Sequence, residues 1–174
     1  MKNNVSLQVK KLVFASLFAA IIFIATYILH VPLPFNGGYI HLGDTFIYLA
    51  ACIMPMPYAM AAGAIGAGLS DALSPGAFVW VIPTIIIKPL LTLYFTRKPE
   101  KFICKRNIIG IFLAGITGLI GYFIAGSIIS GSIIAAFGFM LVDSIQPIAS
   151  GILFVIIGIA FDKSNMKKIF KNVF

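Results

Sequence analysis

The stretch LVFASLFAAIIFIATYIL, Leu12–Leu29, has no charged side chain and follows the basic pair Lys10 and Lys11. As a helix it comes close to the ~20 apolar residues that cross the hydrocarbon core of a bilayer. A secretory leader would have a shorter apolar core and a small-residue cleavage site after it. Neither is evident, so the stretch reads as a first membrane span retained in the mature chain.

Composition extends that reading outward. Of 174 residues, 60% are hydrophobic and 10% charged, with a mean hydropathy of +1.05. A water-soluble domain carries about 25% charged residues, so lipid is the main solvent. Backbone groups in lipid must find partners within their own segment, which makes helices the expected form. The expected fold is an all-α membrane protein, a single domain of six transmembrane helices in a compact bundle with both termini cytoplasmic. The apolar segments run approximately Leu12–Leu29, Asp44–Met54, Tyr58–Leu73, Val79–Phe95, Ile108–Ser127 and Val142–Phe161. Pro55 and Pro57 end the second, and the SPG at Ser74–Gly76 ends the third. Gly126 and Gly131 leave room for a bend or a re-entrant piece after the fifth.

The net charge of +8 does not point to nucleic acid, because the basic residues are juxtamembrane. With six crossings, Lys2, Lys10 and Lys11, then Arg97, Lys98, Lys101, Lys105 and Arg106, then Lys163, Lys167, Lys168 and Lys171 all fall on one face. The positive-inside rule makes that face cytoplasmic. Five crossings would scatter them. The outer connections are then Val31–Gly43, Ser74–Trp80 and the segment around Ser127–Asp143, all without lysine or arginine.

Ionisable groups inside a membrane need a partner or a function. For Lys88, in IIIKPLL, an ion pair with Asp71 or Asp44, direct ligand contact and snorkelling toward water all remain open. Asp44 suits a helix N-cap, a ligand anchor, or both. Asp71 reads as a solvated helix-end carboxylate or a site residue, and Asp143 as a cap or a site residue beside Gln146. His30 and His41 stand far apart in register and lack further ligands, so no metal site is expected. Cys52 and Cys104 have neither disulfide nor zinc spacing and read as small apolar residues. No catalytic motif, no Walker sequence GxxxxGK[ST] and no cofactor-binding pattern is present; the chain is not expected to be an enzyme. Small residues four apart, Ala15 with Ala19, Ser16 with Ala20 and Gly63 with Ala67, allow close helix contact within the bundle or, for the first span, with another protein's helix.

Taken together, the six spans, the basic inner loops, the alanine strip of the first span, the GD of Gly43–Asp44, the glycine-rich third span ending at Asp71 and the KP of the fourth resemble the S components of energy-coupling factor (ECF) vitamin transporters. The similarity covers essentially the whole chain through a combination of weak motifs. It implies a multi-pass protein of a prokaryotic-type cell membrane. Such a subunit captures a small vitamin from outside, has no ATPase activity, and delivers its cargo by docking on a transmembrane coupling subunit with two ATPase subunits. The resemblance places the coupling-subunit interface on Ala15, Ser16, Ala19 and Ala20. It makes NGGYIHLGD (Asn36–Asp44) a lid, with Gly37 and Gly38 giving backbone freedom.

Candidate substrate contacts are Asn36, Tyr39, His41, Asp44, Tyr48, Asp71, Phe78, Trp80, Lys88, Tyr122, Asp143 and Gln146: flat aromatic surfaces with groups able to bond ring nitrogens or hydroxyls. The outer half has no cation besides Lys88, which disfavours anionic vitamins. Pyridoxine or hydroxymethylpyrimidine is favoured, followed by thiamine and riboflavin. The rival readings are an autonomous small transporter or channel, for which no internal symmetry is evident, and a membrane-embedded enzyme, for which no dense carboxylate motif is present.

Overall fold

A computed structural model describes residues 2–32, 39–98 and 100–171. Helix α1 (Lys2–Tyr27) leads into a short antiparallel hairpin, β1 (His30–Pro32) and β2 (Tyr39–His41). Then follow α2 (Gly43–Ile53), α3 (Met56–Leu73), α4 (Val81–Leu91), α5 (Lys105–Ser130), α6 (Ile133–Asp143), α7 (Ile145–Lys163) and α8 (Met166–Lys171). Single 3₁₀ turns, Phe78–Trp80 and Thr92–Tyr94, flank α4. The protein is a helical membrane bundle in which the hairpin is the only sheet among the described residues.

Side-chain distribution follows the solvent. On α5, Ile109, Phe112, Ile116, Ile120, Ile124 and Ile128 form an exposed ridge at helical spacing, and Ile145, Ile148, Ile152, Ile156 and Ile159 repeat it on α7. Such ridges would aggregate in water and belong in acyl chains. Three helical runs, Val5–Tyr27, Lys105–Ser130 and Ile133–Lys163, are long and apolar enough to cross a bilayer; Gly43–Ile53 and Phe78–Tyr94 are apolar but shorter.

Helix α2 is the axis of the core and is buried along nearly its whole length. Pro55 sits at the N-cap of α3 with Pro57 in its first turn, so the prolines break α2 from α3. Against α2, Tyr48 stacks on Phe95 at 4.7 Å and meets Phe154 edge-on at 6.0 Å. Thr45 Oγ1 donates to the Ser150 carbonyl at 3.0 Å. Helix α1 turns Ala15, Phe18, Ile22 and Ala25 inward. It packs so closely on α3 that a Cβ on Gly66 would lie 2.5 Å from the Ala19 carbonyl oxygen. The small residues of α3 therefore serve intramolecular packing.

The far end is held by polar contacts. Asn107 Nδ2 donates to the Phe102 carbonyl (2.9 Å), the Thr96 carbonyl (3.2 Å) and Cys52 Sγ (3.2 Å), and its Oδ1 accepts from Thr96 N–H (2.8 Å). Asp162 accepts from the Phe102 and Ile103 amides at 2.6 and 3.0 Å, while Lys167 Nζ donates to the Lys101 carbonyl at 3.1 Å. These contacts fix the basic α4–α5 connection.

Two sequence expectations change. The segment around Ser127–Asp143 is helical: α5 continues to Ser130, Gly131 turns the chain at φ +65°, and Ser132 caps α6, its Oγ accepting from Ala135 N–H. His30 and His41 stand directly opposite across the hairpin and are not apart in register, although no cluster of three or more metal-ligating side chains forms among the described residues.

Candidate functional site

The two residues whose charges most need explanation meet at the centre of the bundle. Lys88, on α4, is 2% exposed and Asp44, in the first turn of α2, is 4% exposed. Lys88 Nζ donates to Asp44 Oδ1 at 2.6 Å, and Gln146 Nε2 from α7 donates to Asp44 Oδ2 at 2.9 Å. Asp44 thus ties α2, α4 and α7 together through both carboxylate oxygens. It does not cap α2: the N-cap is Leu42, without a side-chain bond. Its place in the first turn still sets a negative charge at the positive end of the helix dipole.

Beside this pair lies a cavity with ≈ 80 Å³ of free volume. Its walls bring together His41, Asp44, Tyr48, Asp71, Trp80, Lys88, Tyr122, Asp143 and Gln146 from separate segments of the chain. Tyr122 presents its ring to Lys88 Nζ at 5.2 Å and bonds Thr84 Oγ1 at 2.8 Å through its hydroxyl. Trp80 lies 6.0 Å from Tyr122, ring to ring, tilted by 59°. Asp71 is buried, so it is not the solvated helix-end carboxylate that its position suggested. Asp143 is the last residue of α6 and not a cap of α7, whose N-cap is Ser144.

His41 closes the hairpin edge of the cavity. Its Nδ1 accepts from Gly43 N–H at 3.0 Å, which places the ring proton of the neutral form on Nε2. Burial, reinforced by the Lys88 charge, takes its pKa from 6.5 down to about 3, so the ring is neutral.

Phe78 does not join the site: it is 71% exposed in the turn before α4 and does not line the cavity. The aromatic pattern of that turn hid which of Phe78 and Trp80 faces inward; a 3₁₀ turn puts them on different sides. Asn36, Gly37 and Gly38, and hence the lid expected there, lie outside the described residues; of Tyr39 the structure describes the backbone, in β2. Thr84, Gly115, Gly118 and Pro147 also line the cavity and were missed. A signal existed: Gly110, Ala114, Gly115, Gly118 and Gly121 gather small residues on α5, and a Cβ at Gly110, Gly115 or Gly121 would crowd Tyr94, Pro147 or Ile87 respectively.

A second hollow, of ≈ 480 Å³, runs along the outside of α1 and α3. Ala15, Ser16, Ala19, Ala20, Ala61 and Ala62 line it, between taller Leu12, Phe23, Tyr58, Ile65 and Leu69. Ala15 is buried, whereas Ser16 and Ala20 are exposed.

Among solved structures, the chain is similar to one described as "Structure and mechanism of the S component of a bacterial ECF transporter". The TM-score is 0.67 with 22% identity, over 86% of this chain and 94% of that one; at that identity the likeness concerns the fold. An uncharacterized Pyrococcus woesei protein, described by its place in the gap 3′ region, is 26% identical over 133 residues, 74% of this chain and 87% of that protein. Residues 6–168 match the family described as "ECF-type riboflavin transporter, S component", a family of transport subunits rather than enzymes. The chain belongs to the S-component family of ECF-type riboflavin transporters.

Proposed function

We propose that this chain captures a small, uncharged or cationic heterocyclic vitamin or vitamin precursor, with pyridoxine or hydroxymethylpyrimidine favoured, from the outer side of a prokaryotic cell membrane. The observation that carries this reading is the charge balance of the cavity. Lys88, its one lysine, is already matched by Asp44, which leaves Asp71 and Asp143 as acidic groups in the walls. An anionic ligand would meet the carboxylates of the walls, whereas ring N–H, amino and hydroxyl groups would find acceptors there. The free volume of ≈ 80 Å³ falls below the ~300–1,000 Å³ of pockets for drug-sized ligands, which suits a single ring.

Riboflavin is the second reading, supported by the description of the family. It requires the cavity to widen around a tricyclic ring. Isothermal titration of the purified chain with pyridoxine, 4-amino-5-hydroxymethyl-2-methylpyrimidine and riboflavin separates the two. Saturable binding of either single-ring compound, with riboflavin binding at least 100-fold more weakly, supports the first reading. The reverse order establishes the second.

In this reading six crossings keep both termini and the basic loops inside. The hollow along α1 and α3 receives a transmembrane coupling subunit, which acts with two ATPase subunits. Its small-residue floor, including Ala15, Ser16, Ala19 and Ala20, accommodates a partner helix at short range. Ala19→Trp should abolish co-purification with the coupling subunit while leaving vitamin binding intact. Unchanged co-purification would exclude this surface. Uptake by vesicles containing this chain alone would instead establish an autonomous transporter.

A further inference from the structure

Two residues that line the cavity carry a buried polar atom without a hydrogen-bond partner among the described residues: Nε1 of Trp80 and the hydroxyl of Tyr48. Trp80 is 9% exposed and Tyr48 fully buried. They differ in chemistry. The indole N–H is a donor only, whereas a phenol both donates and accepts. They also differ in place. Tyr48 lies one helical turn beyond Asp44 on α2, clamped by Phe95 and Phe154. Trp80 stands in the turn that opens α4, two turns before Lys88. Lys88 and Gln146, by contrast, are both engaged with Asp44.

A buried donor left unbonded is disfavoured by about 1–3 kcal/mol. From this, we infer that Trp80 is a specificity-determining residue whose indole N–H donates to an acceptor atom of the bound ligand, a ring nitrogen or an oxygen. The inference rests on the capture function proposed above and deepens it. The ligand class narrows to heterocycles that present an acceptor toward the α4 turn and polar hydrogens toward the carboxylates of Asp71 and Asp143. The Tyr48 hydroxyl meets a second polar group of the ligand. A ligand polar only at one edge leaves one of the two groups orphaned.

Trp80 is the sole tryptophan of the chain, so one indole N–H resonance reports on it without assignment. In ¹⁵N-labelled protein in nanodiscs, a saturating single-ring ligand, pyridoxine or 4-amino-5-hydroxymethyl-2-methylpyrimidine, should move that proton downfield and slow its exchange with D₂O. Ring stacking alone would move it upfield and leave exchange to follow burial. Trp80→Phe should weaken binding of the same compound by about 10-fold. The analogue with the paired acceptor replaced by C–H should bind Trp80→Phe and the parent protein equally. Binding by calorimetry with an upfield or unmoved indole resonance overturns the inference while leaving the capture function standing. So does a Trp80→Phe loss that is the same for every analogue. Absence of binding by the parent protein to both compounds and to riboflavin removes the capture function and this inference with it.

Discussion

Replacing Lys88 by methionine tests whether the centre of the bundle is organised as described. The Lys88–Asp44 contact of 2.6 Å corresponds to a Coulomb attraction of about 6 kcal/mol at an effective dielectric of 20. Desolvating each ion opposes this by several kcal/mol, so the net value of the intact pair is small. Deleting one member has a different consequence. Lys88→Met retains the length of the side chain but leaves the Asp44 carboxylate buried with Gln146 as its remaining donor. Loss of one partner of a buried pair lowers stability by about 3–5 kcal/mol, and in a chain of this size each kcal/mol is about 2–4 °C in Tm. The expected drop is thus roughly 6–20 °C, read by thermal unfolding of ligand-free protein in one detergent. Asp44→Leu should behave alike, and the Lys88→Met/Asp44→Leu double variant should regain most of the loss, since it buries no unpaired charge. A Lys88→Met protein melting within about 2 °C of the parent, or a double variant as unstable as the sum of the singles, would refute the argument.

Three further perturbations follow from separate parts of the molecule. Gly66→Ala forces α1 and α3 apart, because its Cβ would approach the Ala19 carbonyl to 2.5 Å; a loss of about 1–3 kcal/mol is expected, and an unchanged Tm would show that the helices give way freely. Asn107→Leu strips the Thr96 amide and the Phe102 carbonyl of their partners and should lower stability by at least ~2 kcal/mol, with faster proteolysis of the α4–α5 connection as the independent check. For His41 the folded pKa of about 3 lies below the ordinary 6.5, so between these values the unfolded chain holds a proton that the native one does not. Stability must therefore rise with pH through that window, by about 3 kcal/mol from pH 4 to pH 7. His41→Asn, which retains an acceptor for Gly43 N–H, should flatten the dependence; an identical slope in the variant would assign it elsewhere.

Much of the architecture is legible because lipid imposes a strong rule: long uncharged runs, prolines at their ends, and lysines and arginines gathered at a few connections. What escapes this rule is local or distant in sequence. The helix at Ile133–Asp143 was hidden because its eleven residues are too few to span and its apolar side chains blend into the flanking runs. The hairpin was hidden because strands of three residues carry no period. At the site, the residue types were readable from the cost of placing Asp44, Asp71 and Lys88 in an apolar chain. Their partners were not, since Gln146 is 102 positions from the carboxylate it bonds and the sequence left Asp71 and Asp44 equally eligible for Lys88.

The pairing that the structure selects changes the chemistry. Had Lys88 been available to a ligand, a carboxylate or phosphate would be the natural cargo. Because Asp44 holds it and Gln146 occupies the second oxygen of that carboxylate, the cavity instead has Asp71 and Asp143 in its walls together with Trp80 and Tyr48. A charge swap makes this a measurable distinction. Asp143→Asn removes a negative charge from the wall without touching the Lys88–Asp44 pair, and should weaken a ligand that donates there by about 10-fold. The same variant should bind pyridoxal phosphate better than the parent does, because the anion then meets less repulsion. Should Asp143→Asn leave the relative affinities for pyridoxine and pyridoxal phosphate unchanged, cavity charge would not be what selects the cargo, and selection would have to rest on shape alone.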